Sequence, residues 1–321
     1  MDISDIDFSG IDFSQLMDLR VDYAFKLFFA APGATHRLIS LLNAIFENKR
    51  IPRAISKLTV VNPALEKAAV EDKLAVLDVR AILEDGTSVC IEMHLYELVA
   101  HKHKSMRSWA RVYGEELEQG QSFTDQNLVI HISFMDGPVT DAAGVPIDKV
   151  HSIFQVMERD SHELLLDSME LHYINMQAFL KQCEEMAKTG ASHTMFTRWL
   201  TLITQKAISD KETVKKICTE EEIREAMKTL TRLSQDKVKR QAYQRRQDEL
   251  YYYNLVLSQN AENEAALAEN AAALAEKDAA LAEKDAALAE NAAALAEKDA
   301  ALAEKDAIIA ELMAQPHVRI M

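Results

Sequence analysis

Hydrophobic and polar positions divide the chain into a mixed first part and a uniformly helical second part. Leu38, Ile39, Leu42, Ile45 and Phe46 recur at helical spacing and predict an amphipathic helix from Thr35 to about Phe46. A shorter helix is expected over about 20–31, with Pro32-Gly33 as the break between the two. A strand is expected at about Ile55–Val61. From Leu77 to Leu95 the period changes to two, the signature of a β-hairpin closed by Glu84-Asp85-Gly86. A three-residue loop, a type I turn with Gly86 in the left-handed position, pairs Leu83 with Thr87, so partner numbers sum to 170. Asp78 then lies opposite Glu92, with Arg80 and His94 on the same face. Leu77, Val79, Ile91, Met93 and Leu95 form the opposite, core face. A two-residue Asp-Gly turn would instead put Asp78 and Glu92 on opposite faces.

After the hairpin, Leu98, Met106, Trp109, Val112, Tyr113 and Leu117 predict a helix over 97–119, with Gly120 as its cap. Residues 128–134 are a short apolar run, as in a buried strand. Further strands are expected at 152–158 and 170–175, and helix throughout 176–258. This order describes an α/β core, a mixed sheet flanked by helices. From Ala261, Leu267, Leu274, Leu281, Leu288, Leu295 and Leu302 recur every seven residues in near-identical units, a rod of about 80 Å. The seam is weak, because the other core position is Asp, Lys, Ala or Asn. Two readings stay open: an oligomerisation helix pairing with a second copy, or a single charged spacer. The expected organisation is a disordered N-terminus at 1–17, a core at 18–180, a helical region at 181–258, the heptad helix at 259–314 and a tail at 315–321.

Charge and composition narrow the possibilities. The 321 residues carry a net charge of −15, of which residues 261–314 contribute −9. No apolar run approaches membrane-span length, and the acidic start lacks the pattern of a signal peptide. Three cysteines without metal-type spacing read as thiols in a reducing compartment, so the expected location is the cytoplasm. Basic residues cluster at His101, Lys102, His103, Lys104, Arg107 and Arg111, and again at Arg232, Lys237, Lys239, Arg240, Arg245 and Arg246. Either cluster suits phosphate contacts; solvated helix charge is the plainer account of any single member.

The candidate chemistry centres on the hairpin. Directly opposed residues of two strands have Cβ atoms roughly 5 Å apart, so both carboxylates can reach one cation. Mg²⁺ takes one or two carboxylates, with water and substrate phosphate completing its shell, which suits a sparse Asp/Glu pair. The plainer account is an exposed sheet face on which Arg80 neutralises both acids. Trp109, Tyr113, Phe134 and Phe154 read as core, and Tyr251-Tyr252-Tyr253 as packing where the globular part meets the rod. His101 and His103 lack further ligands at zinc spacing, and no P-loop, Gly-x-Ser-x-Gly or zinc-finger pattern occurs.

Several stretches carry a family resemblance: Asp22-Tyr23-Ala24-Phe25-Lys26, Leu77-Asp78-Val79-Arg80, Ile91-Glu92-Met93-His94, residues 107–113, residues 152–174, Leu233-Ser234-Gln235-Asp236 and Ala242-Tyr243. In this order, over roughly 18–255, the chain resembles the recombination-promoting nucleases of the transposase type (Rpn) within the PD-(D/E)XK superfamily. The resemblance implies a restriction-endonuclease-like fold and hydrolysis of DNA phosphodiesters with Mg²⁺ or Mn²⁺. It makes Asp78, Glu92 and the Met93 carbonyl metal ligands, and gives Asp22, Lys26 and His94 catalytic places. His94 stands where the motif has Lys and this family more usually has Gln; a neutral His can orient or deprotonate water, or ligate a softer metal. Lys102, Lys104, Arg107 and Arg111 would then grip DNA. The alternative is a degenerate nuclease fold acting as a DNA-binding or coiled-coil interaction protein.

Overall fold

The computed structural model describes residues 12–49, 51, 54–61, 79–95, 101–117, 120–204, 208 and 211–314. Six strands form one sheet: β1 (Leu58–Val60), β2 (Val79–Leu83), β3 (Ser88–His94), β4 (Val129–Met135), β5 (His151–Phe154) and β6 (Met169–Asn175). Eight helices accompany them among the described residues: α1 (Asp22–Phe29), α2 (Thr35–Asn48), α3 (His101–Glu115), α4 (Met176–Thr189), α5 (Met195–Ile203), α6 (Lys211–Ile217), α7 (Glu221–Gln235) and α8 (Lys237–Ala314). The sheet order is β1-β2-β3-β4-β6-β5, parallel at β3–β4 and β4–β6 and antiparallel elsewhere. This is the mixed sheet with flanking helices, followed by a long C-terminal helix, that the apolar pattern describes.

The hairpin register is the expected one. Val79 pairs with Ile91 and Arg80 with Cys90, partner numbers summing to 170. Gly86 N–H donates to Leu83 O at 3.1 Å and Leu83 N–H to Thr87 O at 2.9 Å, which closes a three-residue loop. Gly86 has φ +86°, and a Cβ there would lie 2.9 Å from Asn127 Oδ1, so both backbone and space favour glycine. Leu77 and Asp78 lie outside the described residues.

Register divides the sheet into two unlike faces. Val79, Ala81, Val89, Ile91, Met93, Ile130, Ile132, Phe134 and Ile174 share one face and join the main core. α1 brings Phe25, Phe28 and Phe29 to it, and their rings meet Phe134 and Trp199 at centroid distances of 5.9 and 5.6 Å. α2, α5 and α7 complete this core, so the helices after β6 share it with the sheet. The opposite face carries Cys90, Glu92, His94, His131 and Ser133 and is covered by α3.

Several boundaries shift. Leu16 and Met17, expected in a disordered segment, are buried, and Met17 N–H donates to Ser234 Oγ at 2.8 Å. The third helix ends at Glu115, and Gly120, with φ +96°, lies five residues beyond its end rather than capping it. At the next helix Gly190 does serve as a left-handed cap, φ 68°. Phe154, expected in the core, is 40% exposed, and Tyr251, Tyr252 and Tyr253 are exposed as well. The chain forms two compact units, residues 1–251 and 252–321, and in the second every heptad leucine is exposed.

Within the main-core face lies a buried polar chain. Asn48 Nδ2 meets His151 Nδ1 at 3.2 Å, His151 Nε2 meets His172 Nδ1 at 3.1 Å, and His172 Nε2 meets Glu170 Oε2 at 2.9 Å. An amide donating to Nδ1 fixes the His151 proton on Nε2, and His172 then donates to Glu170. Burial, then the nearby His172 and Lys49, push His151 down from 6.5 to about 2. Between these values the unfolded chain holds a proton at this site that the folded chain does not. Stability therefore rises with pH across that window, by up to about 1.4 kcal/mol per pH unit. Urea unfolding from pH 7 to 4 should show progressive loss of stability, with a shallower slope in His151→Gln; an unchanged slope would refute the buried neutral imidazole.

Candidate active site

α3 faces the sheet with His101, Ser105, Ser108 and Val112, a stripe at helical spacing whose middle members are short hydroxyl side chains. That stripe brings polar groups onto Glu92, which projects from the centre of β3 and is 1% exposed. Ser108 Oγ donates to Glu92 Oε1 at 3.1 Å. The other oxygen, Oε2, faces His94 Nε2 at 3.3 Å, Lys104 Nζ at 3.5 Å and His131 Nε2 at 3.9 Å. Glu92 Oε2, His94 Nε2 and His131 Nε2 are all buried, and these approaches complete no hydrogen bond to them.

Burial alone would raise the Glu92 pKa, but His131, His94 and Lys104 more than reverse this and hold the carboxyl well below its ordinary range. Burial pushes His131 down, towards the neutral imidazole. Lys104 reaches in from α3 on a side chain that is 37% exposed. His131 is fixed in turn: Nδ1 lies 3.4 Å from Ser133 Oγ, which lies 3.1 Å from Ser105 Oγ, and Ser105 donates to the His101 carbonyl.

An ionised, buried carboxylate with an oxygen lacking a donor suits a hard divalent cation. Among the described residues no group of three His, Cys, Asp or Glu is arranged to hold a metal. The donor set thus fits as one part of a site whose other oxygens come from elsewhere, and Asp78 lies outside the described residues. Arg80, on the same face, does not neutralise Glu92; its guanidinium forks to Glu115 at 2.9 Å and Glu116 at 3.3 Å, at the end of α3.

The remaining sequence-derived residues are placed differently. Asp22 opens α1, where a negative charge suits the helix dipole, and accepts a fork from Arg246 of α8, Nε at 2.9 Å and Nη2 at 2.7 Å. Lys26 follows one turn later on α1. Lys102 donates to Thr140 Oγ1 at 3.1 Å and the Asp141 carbonyl at 2.7 Å, anchoring the segment after β4. Arg111 lies 4.0 Å from Glu115, while Arg107 is exposed. In the second basic cluster, Arg240 holds Gln15 and Arg246 holds Asp22, tasks within the fold.

His131 and Ser108 carry no sequence motif. The available signal was period two: His131 and Ser133 are polar residues on one face of an otherwise apolar run. Arg20 and Asp136 were also missed. Arg20 Nη1 pairs with Asp136 at 2.8 Å, and Asp136 N–H donates to the His94 carbonyl at 2.9 Å. They tie the segment before α1 to the end of β3.

The family model described as PD-(D/E)XK nuclease family transposase matches residues 19–260. No curated protein and no solved structure gives a significant match.

The Asp22–Arg246 fork joins the candidate acid of α1 to α8, with the arginine side chain 37% exposed. Asp22→Asn and Arg246→Gln, alone and together, should give a coupling of about 1 kcal/mol in a double-mutant cycle read by urea unfolding. Strict additivity would remove this fork from the account of how α8 is attached.

Proposed function

The chain belongs to the PD-(D/E)XK nuclease family transposases, and we propose that it is a cytoplasmic, Mg²⁺-dependent DNA endonuclease whose cuts promote recombination. Nuclease-type function follows from the family; the ion, the DNA substrate and the residue roles are the proposal. The observation that carries it is Glu92, a buried carboxylate held ionised, with one oxygen lacking a hydrogen-bond donor. Further support comes from the hairpin register. The pairing of Val79 with Ile91 is the register on which the expectation of Asp78 opposite Glu92 rests, while Asp78 itself lies outside the described residues.

In this reading Asp78, Glu92 and the carbonyl of Met93 hold a divalent ion, Mg²⁺ or Mn²⁺. Bound there, it would neutralise charge on the scissile phosphate and make water a better nucleophile. Ser108 holds one oxygen of the Glu92 carboxylate by a hydrogen bond, and His131 lies 3.9 Å from the other. Lys104, 3.5 Å from Glu92, supplies an ammonium beside the carboxylate. His94, 3.3 Å from the same oxygen, orients the attacking water. Arg107 is exposed and suits a strand phosphate, and Lys102, Lys104 and Arg111 extend that grip along α3. Asp22 and Lys26 support the site from α1, and Arg246 sets the side chain of Asp22. The heptad helix pairs with that of a second copy.

Plasmid nicking with Mg²⁺ or Mn²⁺ tests this. Asp78→Ala and Glu92→Ala should each lose about a hundredfold or more, and Lys104→Ala about tenfold or more. Equal nicking by wild type and both acid variants would refute the site. DNA binding without cleavage by any form would favour the degenerate fold.

A further inference from the structure

β5 is an edge strand of the sheet. Edge strands are ordinarily protected by charge, proline or a bulge, and His151–Phe154 contains no proline, lysine or acid. Beyond Phe154 the chain continues as a hairpin arm, closed by Leu165 N–H to Val156 O at 3.0 Å, Glu158 N–H to Glu163 O at 2.8 Å and a bridge between Met157 and Leu164. Phe154, Val156, Met157, Leu164, Leu165 and Leu166 are 38–70% exposed, an apolar concentration that isolated globular surfaces avoid. Met157 and Leu164 share one face of the arm and Val156 and Leu165 the other, so the arm is apolar on both sides.

A second feature lies at the other end of the same strand. Lys49, Lys149 and Lys181 line a cleft of about 520 Å³ beside Val150 and His151. Among the described residues no carboxylate lies within ion-pair distance of any of the three. The arm carries Glu158, Asp160, Glu163 and Asp167 against a single Arg159. The same cleft is also lined by Asp148 and Glu185, so this end of β5 carries three lysines against two acids, while the arm carries four acids against one arginine.

We propose that β5 pairs antiparallel with β5 of a second copy about a two-fold axis, joining two six-stranded sheets and laying each arm against the lysine end of the other copy. Antiparallel pairing brings opposite ends of the strand together, so the charge difference along β5 becomes complementarity across the axis. Asn175 N–H donates to Val150 O at 2.8 Å, which makes Val150 and Asn175 a hydrogen-bonded pair. By the antiparallel alternation, Ser152 and Phe154 also turn their backbone groups to β6, while His151 and Ile153 turn theirs to the open edge. Only odd-numbered residues can then bond across the axis, which passes through Ser152 or Ile153. With the axis at Ser152, Gln155 of one copy comes opposite Lys149 of the other; with the axis at Ile153, Met157 does. Either register runs the arm past Lys149 and Val150. The four carboxylates disfavour nucleic acid as the occupant. The proposal is independent of Glu92 and of cleavage.

Sedimentation equilibrium of the full chain, with the heptad helix present in every sample, reads association through the sheet edge. Val156→Asp combined with Leu165→Asp changes only exposed side chains and should weaken association roughly a hundredfold, halving the mass at concentrations where the wild-type edge pair is populated. On oxidation, Ser152→Cys or Ile153→Cys should form an intermolecular disulfide on a non-reducing gel, which the wild type does not. Because paired heptad helices can hold the same two copies together, cross-linking decides: failure of both cysteine variants to cross-link would overturn the proposal, whatever the mass of the arm variant. Loss of DNA binding at unchanged mass would assign the arm to nucleic acid instead.

Discussion

The turn at Glu84-Asp85-Gly86 sets the phase of β2 against β3, and that phase decides what faces α3. With three residues in the loop, Val79, Ile91 and Met93 enter the apolar core while Glu92 and His94 meet the helix. A slip of one residue would drive a carboxylate into a core built around Phe25, Phe134 and Trp199, a severe cost for an unpaired charge. Gly86 holds the phase because its backbone is left-handed and its Cβ position is taken by Asn127. Chemistry on one face and stability on the other thus share a single local determinant.

The polar face survives burial because most of its charged groups have neighbours suited to them. Ser108 donates to Glu92, Lys104 brings a cation from the solvent side, and Arg80 turns away to Glu115 and Glu116. Short side chains on α3 allow these approaches. Unmet capacity is concentrated at Glu92 Oε2, His94 Nε2 and His131 Nε2, which face one another. A fold stabilised by its other face can tolerate unsatisfied atoms here, and such atoms are where a ligand gains most by binding.

Strong periodicity made much of this legible in the sequence. α2 announces itself through Leu38, Leu42 and Ile45, and the hairpin through alternation around a glycine turn, down to the register. The end of α3 was misread because Gly120 resembles a cap, yet the helix has stopped at Glu115, five residues earlier. Phe154 reads as core from its apolar strand, yet it lies at the sheet edge and is 40% exposed. Nothing in the sequence shows that the Lys104 ammonium turns to Glu92. His131 was hidden inside an apolar strand, and Arg246 lies 224 residues from Asp22. Contacts of that range depend on the packed fold, which spacing along a chain does not encode.

The central claim is that Glu92 of β3 and Asp78, the residue before β2, share a divalent ion. Anomalous diffraction from crystals soaked in Mn²⁺ tests it without relying on turnover. The account predicts one strong peak within coordination distance of Glu92 Oε2 and a carboxylate oxygen of Asp78, absent from Glu92→Ala crystals. Well-ordered acids with no peak between them, or with Asp78 directed to the opposite face of the sheet, would contradict it.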